Sequence, residues 1–212
     1  HLDDDNEYKE SEVNDNDLAT IILTCYNTEN LIKKSIRSIL NQTYRNLEIL
    51  IYDDCSTDDT FKKIQEITKN DKRVRLFKSQ TNYGTYYGKN FCLSKINENT
   101  KYLAFNDSDD ISYPKRLEIQ IKNLRDKNIL MNTCLGIINN DKYMPLISKV
   151  FDISVFKELG YFVNNRFGSD TDYILRFLNK YEKIINLNIY HYYKNRREGL
   201  FSNFSKYNCV LQ

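Results

Sequence analysis

Tyr102-Leu103-Ala104-Phe105-Asn106-Asp107-Ser108-Asp109-Asp110 is the stretch on which the fold of this chain turns. Its first half is a continuous apolar run, which needs cover on both faces, as in a strand buried within a parallel sheet. Its second half brings three carboxylates into four positions, where the strand leaves the sheet. Carboxylates this close repel one another unless a positive charge neutralises them. A hard divalent cation such as Mg²⁺ or Mn²⁺ does so, because it prefers carboxylate oxygen and shares its shell with substrate phosphates. A solvated acidic turn capping the next helix is the plainer alternative.

Upstream, order begins at Leu18. Ala19 to Thr24 is a second buried-strand run, followed by a turn at Cys25-Tyr26-Asn27-Thr28. Asn27 or Thr28 can cap a helix in which Ile32, Ile36, Ile39 and Leu40 recur at helical spacing. Leu47 to Tyr52 is a strand that runs into Asp53-Asp54-Cys55-Ser56-Thr57-Asp58-Asp59. Ser56 with Asp59 resembles a capping box before Phe61, Ile64 and Ile67. Val74 to Phe77 adds a strand, Asn82-Tyr83-Gly84 a turn, and Lys89 to Ile96 a helix. Alternating strands and helices predict an α/β layered fold with a mainly parallel sheet. Ligands in such sheets bind outside the carboxyl ends of the strands. Cys25–Thr28, Asp53–Thr57 and Asp107–Asp110 therefore share one rim.

Downstream, Pro114 opens a helix with Leu117, Ile121 and Leu124 on its apolar stripe. Met131 to Phe151 reads as short strands and a loop about Asn139-Asn140-Asp141 rather than a second sheet. Val155, Phe156 and Leu159 are helical, with Gly160 as the stop. Ser169 to Lys180 is an amphipathic helix, and Ile184 to Tyr193 a strand.

A length of 212 residues fits one domain with an ordinary core. The net charge of +2 gives no field that would draw nucleic acid or an anionic membrane. No apolar run reaches the length of a transmembrane segment. Residues 1–17 are acidic with little apolar surface, as in a flexible leader or linker to another domain. The sequence begins at His1 rather than Met, which leaves a longer chain open. Cys25, Cys55, Cys92, Cys134 and Cys209 are widely spaced and odd in number, as expected of free thiols in a reducing, cytoplasmic compartment. His1 and His191 cannot complete a zinc cluster with them.

Several side chains carry candidate chemistry. Asp53 and Asp54 can accept from the N–H groups of a base or the hydroxyls of a ribose, or else cap a helix. Asp107, Ser108 and Asp109, with Asp110, can hold a cation that bridges two phosphates and stabilises a leaving nucleoside diphosphate. Lys89, Arg116, Arg196 and Arg197 are cations able to share that charge. Asp170 lies at a helix start, where the dipole favours the anion, and it can serve as a proton acceptor if a hydroxyl comes within reach. His191, between tyrosines, reads as a packed histidine.

Taken in order, Ile21-Ile22-Leu23-Thr24-Cys25-Tyr26-Asn27, Ser38 to Tyr44, Glu48 to Asp58, Asn82-Tyr83-Gly84, Lys89-Asn90 and Asp107 to Asp110 resemble the family 2 glycosyltransferases of the GT-A fold. The resemblance covers roughly Ala19 to Leu124 and continues more weakly through Leu159-Gly160-Tyr161-Phe162 and Gly168 to Asp172. It implies inverting transfer of a sugar from a nucleotide sugar, usually a UDP-sugar, to a hydroxyl of a glycan, glycoprotein or glycolipid acceptor. By position, Thr24, Tyr26 and Asp53 or Asp54 would bind base and ribose. Asp107 would face the ribose, Ser108 and Lys89 would line the donor site, and Asp109 with Asp107 would ligate Mn²⁺ or Mg²⁺. Asp170 matches the general base. Thr24 stands where the family often has Pro, Cys55 where it has Gly, Lys89 where it has Arg, and Ser169 where it has Glu. Cys55 there gives up the freedom to take positive φ.

The resulting expectation is a 1–17 leader and an 18–212 GT-A domain, with a nucleotide-sugar half at 18–125 and an acceptor half at 126–212. A nucleotide-sugar-binding or scaffold module without turnover is the alternative. A metal-dependent nucleotidyltransferase would want a glycine-rich phosphate loop, and Thr24 to Asn30 contains no glycine.

Overall fold

Alternation along three apolar runs builds both faces of the sheet at once. In the computed structural model, which describes residues 16–138, 141–143, 148–181 and 184–194, β1 (Leu18–Cys25) pairs in parallel with β2 (Leu47–Asp53) and with β4 (Thr100–Asp107). Successive strand residues point to opposite faces. Ile21, Leu23, Ile49 and Ile51 therefore enter one core with Ile32, Ile36 and Ile39 of α1 (Ile32–Leu40), Ile64 of α2 (Thr60–Thr68) and Leu117, Ile121 and Leu124 of α4 (Arg116–Lys127). Ile22, Leu50, Leu103 and Phe105 enter the other core. There they meet Leu93 of α3 (Thr85–Leu93), Phe156 of α5 (Ser154–Leu159), and Tyr173 and Phe177 of α6 (Ser169–Tyr181). Cover on both faces is what the unbroken apolar runs required.

The sheet has two characters. β3 (Val74–Lys78), β2, β1 and β4 form a parallel half in that order. Beyond β4 come β8 (Val150–Asp152), β6 (Met131–Ile138), β9 (Ile185–Lys194) and β5 (Asp110–Ser112), with β7 (Asp141–Tyr143) on β6. Here β8 is antiparallel to both β4 and β6, and β5 to β9, whereas β6 and β9 run parallel. The α/β class and the mainly parallel first half are as expected. The later strands extend the one sheet, and β5 starts at Asp110, within the acid cluster.

Four local expectations are corrected. α1 starts at Ile32 with Leu31 as its cap residue, and neither Asn27 nor Thr28 caps it through a side chain. Asn27 has φ 49° and turns its Oδ1 to the Thr57 N–H at 2.9 Å. Ser56 forms no capping box, because α2 starts only at Thr60 and the Ser56 Oγ accepts from the Asn27 N–H. Helix α3 spans Thr85–Leu93 rather than Lys89 to Ile96. Pro114 lies just outside α4, and its carbonyl accepts from the Thr43 N–H. The acidic leader up to residue 15, Asn139-Asn140, Arg196, Arg197 and Cys209 lie outside the described residues. The Cys25, Cys92 and Cys134 thiols are buried and the Cys55 thiol half-buried.

The approach of α3 to the sheet depends on Gly88. A Cβ there would stand 2.6 Å from Tyr52 Cδ1 and 3.0 Å from Thr24 Cγ2. Gly88→Ala should therefore push α3 away from the rim and cost about 1–3 kcal/mol as overpacking. Chemical denaturation would read this as a lowered midpoint, and an unchanged midpoint would show that α3 has room to spare.

Candidate active site

The rim is assembled by stitching the β1 and β2 loops together. Thr28 N–H donates to Thr60 Oγ1 at 2.7 Å, and Glu29 N–H to Asp58 Oδ2 at 3.2 Å. The Asp58 carboxyl is held below its usual range by hydrogen bonds from Thr60 and Glu29, which outweigh its partial burial. Cys55 takes φ 68°, so the positive φ usual for glycine is kept here by a residue with a side chain. Its Sγ–H donates to the Gln80 carbonyl at 3.3 Å, which fixes the strained turn on the next loop.

Asp53 and Asp54 are both buried and do different things. Asp54 Oδ1 accepts from the Tyr83 N–H at 2.9 Å and Oδ2 from the Gly84 N–H at 2.7 Å, so this carboxylate shapes the loop before α3. Asp53 Oδ1 accepts from the Ser56 N–H at 2.8 Å, while its Oδ2 is buried without a hydrogen-bond partner. A dry, unsatisfied acceptor costs about 1–3 kcal/mol. A ligand N–H or O–H would remove that cost.

Thr24 Oγ1 is 2.6 Å from Thr85 Oγ1, which seats α3 on β1. Tyr26, at the end of β1, is exposed, as are Tyr83 and Tyr87, whose ring centroids lie 4.4 Å apart. Asp107, Asp109 and Asp110 form the acid cluster, with a carboxylate oxygen from each within 4.8 Å of the others. Ser108 is buried between them in sequence, and Asp110 is fully buried. An all-oxygen set of hard donors at this spacing fits Mg²⁺ or Mn²⁺.

Arg116 supports this turn from within. It was a candidate for sharing phosphate charge, yet its guanidinium is fully buried behind β4. Nη1 donates to Ser112 Oγ at 2.8 Å and to Asn106 Oδ1 at 3.3 Å, Nη2 to the Phe105 carbonyl at 3.1 Å, and Nε to Gln120 Oε1 at 3.0 Å. Asn106 Nδ2 in turn reaches the Asp107 and Asp110 carbonyls. The network fixes the backbone that carries the acids.

Lys89 is buried, with Nζ 3.9 Å from Asp107 Oδ1 and lying over the Tyr86 and Phe105 rings at 5.2 and 5.6 Å. It also lines a small cavity with Lys149, Asp170, Phe105, Phe162 and Tyr173. Asp170 is in the first turn of α6, and the Tyr86 hydroxyl donates to its Oδ1 at 2.7 Å. Burial and the Asp170 carboxylate push the Tyr86 phenol far up, so it remains a donor. His191 lies on β9, and its side chain is outside the described residues.

The family model for Glycosyl transferase family 2 matches residues 20–167. The chain belongs to glycosyltransferase family 2. Among family relatives, it is 38% identical over 128 residues to the Escherichia coli UDP-Glc:alpha-D-GlcNAc-diphosphoundecaprenol beta-1,3-glucosyltransferase WfgD. That match covers 60% of this chain and 49% of WfgD, so the chain spans about half the length of this relative. Its fold is similar to that of an S. aureus TarS fragment in complex with UDP-GlcNAc, with TM-score 0.76 and 20% identity, covering 86% of this chain and 60% of the other. The mannosyltransferase PcManGT from Pyrobaculum calidifontis, in complex with GDP-Man and Mn²⁺, gives TM-score 0.71 and 16% identity, with 85% and 57% covered. These likenesses establish the GT-A fold.

Within this family 2 domain, the structure brings Thr24, Tyr26, Asp53, Asp54, Lys89, Asp107, Ser108 and Asp109 to the carboxyl-end rim. Asp170 joins them through Tyr86 and the cavity. Sequence reasoning missed Tyr86 and Lys149. Tyr86 lies in the helical turn after Gly84, which offered a signal, whereas Lys149 stands in a stretch without period. Arg116→Met should lower stability by about 3 kcal/mol, since it leaves several buried acceptors without a donor. A urea midpoint equal to that of the native chain would remove Arg116 as the support of the acid turn.

Proposed function

We propose that this family 2 domain transfers a sugar, with inversion, from a nucleotide sugar to an acceptor hydroxyl, and that the donor is a UDP-sugar. The observation that carries this reading is the placement of Lys89. It reaches Asp107 at 3.9 Å and lines a small cavity with Asp170, so one buried lysine stands between the acid cluster and a candidate base. Single displacement at an anomeric carbon needs a base on the acceptor side and charge stabilisation on the leaving-group side, with no covalent nucleophile.

On the donor side, Asp53 Oδ2 offers its buried lone pairs to the imide N–H of a pyrimidine or to a ribose hydroxyl. Tyr26, exposed on the same rim, can cover the base. Asp107, Asp109 and Asp110 would hold Mn²⁺ or Mg²⁺, which supplies charge neutralisation for the departing diphosphate. Lys89 adds a buried positive charge beside Asp107. On the acceptor side, Asp170 takes the hydroxyl proton. Tyr86 fixes one of its oxygens, and the helix start favours its anion. The aromatic walls of the cavity keep water from competing with the acceptor.

By similarity to WfgD, UDP-glucose is the first donor and a lipid-linked diphosphate sugar the first acceptor to offer. Such an acceptor would bring the domain to a membrane surface, and no helix among the described residues is long and apolar enough to cross one. The domain would then be one part of a longer protein.

UDP release from a panel of UDP-sugars with Mn²⁺ tests the proposal. Hydrolysis of one donor should be lost with chelator and fall at least 100-fold in Asp109→Asn, the scale on which removing transition-state charge stabilisation acts. Asp170→Asn should retain donor binding while transfer to acceptor drops by a similar factor of about 100. A chain that binds a UDP-sugar but never turns it over, with any acceptor, would instead be a nucleotide-sugar-binding module.

A further inference from the structure

Lys149 immediately precedes β8 and is only 5% exposed. The proposed chemistry leaves it without a task. Yet it lines the same cavity as Asp170, with Lys89 and otherwise apolar or aromatic neighbours. Charges on such walls interact strongly because little water screens them. We propose that Lys149 is a positioning residue for Asp170: its ammonium is the counter-charge that faces the Asp170 carboxylate across this cavity. The inference rests on the assignment of Asp170 as the base.

The geometry divides the work between two neighbours. Tyr86 holds Asp170 Oδ1 by a hydrogen bond at 2.7 Å, and a phenol stabilises a carboxylate without supplying charge. Lys149 supplies it. Among the described residues, the titratable groups facing Lys149 include Asp170 and Tyr173 from α6, Lys89 from α3 and Cys134 from β6. Asp170 is the carboxylate among the described residues of the cavity wall, and Lys89 stands 3.9 Å from Asp107. Burial pulls the Lys149 ammonium down to about 8, and Asp170 opposes that fall.

Two measurements decide the matter, one of which needs no turnover. In the chain labelled with [ε-¹³C]lysine, the Lys149 signal is identified by its loss in Lys149→Arg, and its titration is followed by NMR. Its midpoint should fall further below that of the native chain in Asp170→Asn. A midpoint indifferent to that substitution would overturn the pairing. In the pH dependence of kcat/KM for transfer, the acid limb should move up by about one pH unit in Lys149→Met, the shift an opposite charge typically produces. Activity one unit below the native midpoint would then drop about tenfold. Lys149→Arg should restore the limb, because arginine keeps the charge. An acid limb unmoved in Lys149→Met, or a rate loss equal at every pH that arginine does not rescue, would reduce Lys149 to packing. Should no sugar be transferred, the proposed function fails, while the NMR titration still decides whether the two side chains are coupled.

Discussion

The constraint on which the rest depends is the need to hold three carboxylates side by side at the end of a buried strand. Ionised groups at this spacing oppose folding, and one of them, Asp110, is fully buried. The chain answers with a rigid backbone. Arg116, Asn106, Ser112 and Gln120 form a buried polar network around the turn, and Gln120 passes it on to Asn132 and the Ser148 carbonyl. Buried networks of this kind are costly when half satisfied and specific when complete. The same network that fixes the acid turn therefore also fixes Ser148, the residue before Lys149.

This coupling explains why the two halves of the sheet differ so much in character. The parallel half needs only cover, and the central runs of β1, β2 and β4 are largely apolar. The mixed half must bring strands from distant parts of the chain against the acid turn. β5 leaves that turn at once and pairs antiparallel with β9, which places the last described strand beside the site. β5 and β8, of three residues each, suffice there, because the polar network of Arg116, Ser112 and Gln120 holds the backbone beside them.

The legible and illegible parts of the molecule follow from this. Strands β1, β2 and β4 were legible because burial on both faces demands unbroken apolar runs, and the rim acids were legible because three strands end together. Helix starts were misread where the backbone leaves the ordinary regions. Asn27 and Cys55 both take positive φ, and this delays α1 and α2 beyond the nearest capping residues. β5 was missed because three residues carry no period. Lys149 was missed for a deeper reason: a buried lysine is legible only when its partner is known, and Asp170 lies on an element far along the chain.

Helix α3 shows the same principle in its most concentrated form. Thr85 meets Thr24, Tyr86 holds Asp170, Gly88 allows close approach to Tyr52, and Lys89 faces Asp107. Asn90 then exchanges two hydrogen bonds with the Phe162 backbone, at 2.8 and 3.0 Å. Successive helical residues are about 100° apart, so these side chains reach in different directions from little more than one turn. A helix used in this way cannot show a clean apolar stripe, because its inward positions are polar. The weak periodicity that misplaced the start of α3 is thus a consequence of its position. It joins the acid turn to Asp170, and Gly88 lets it stand close enough to the sheet to reach both.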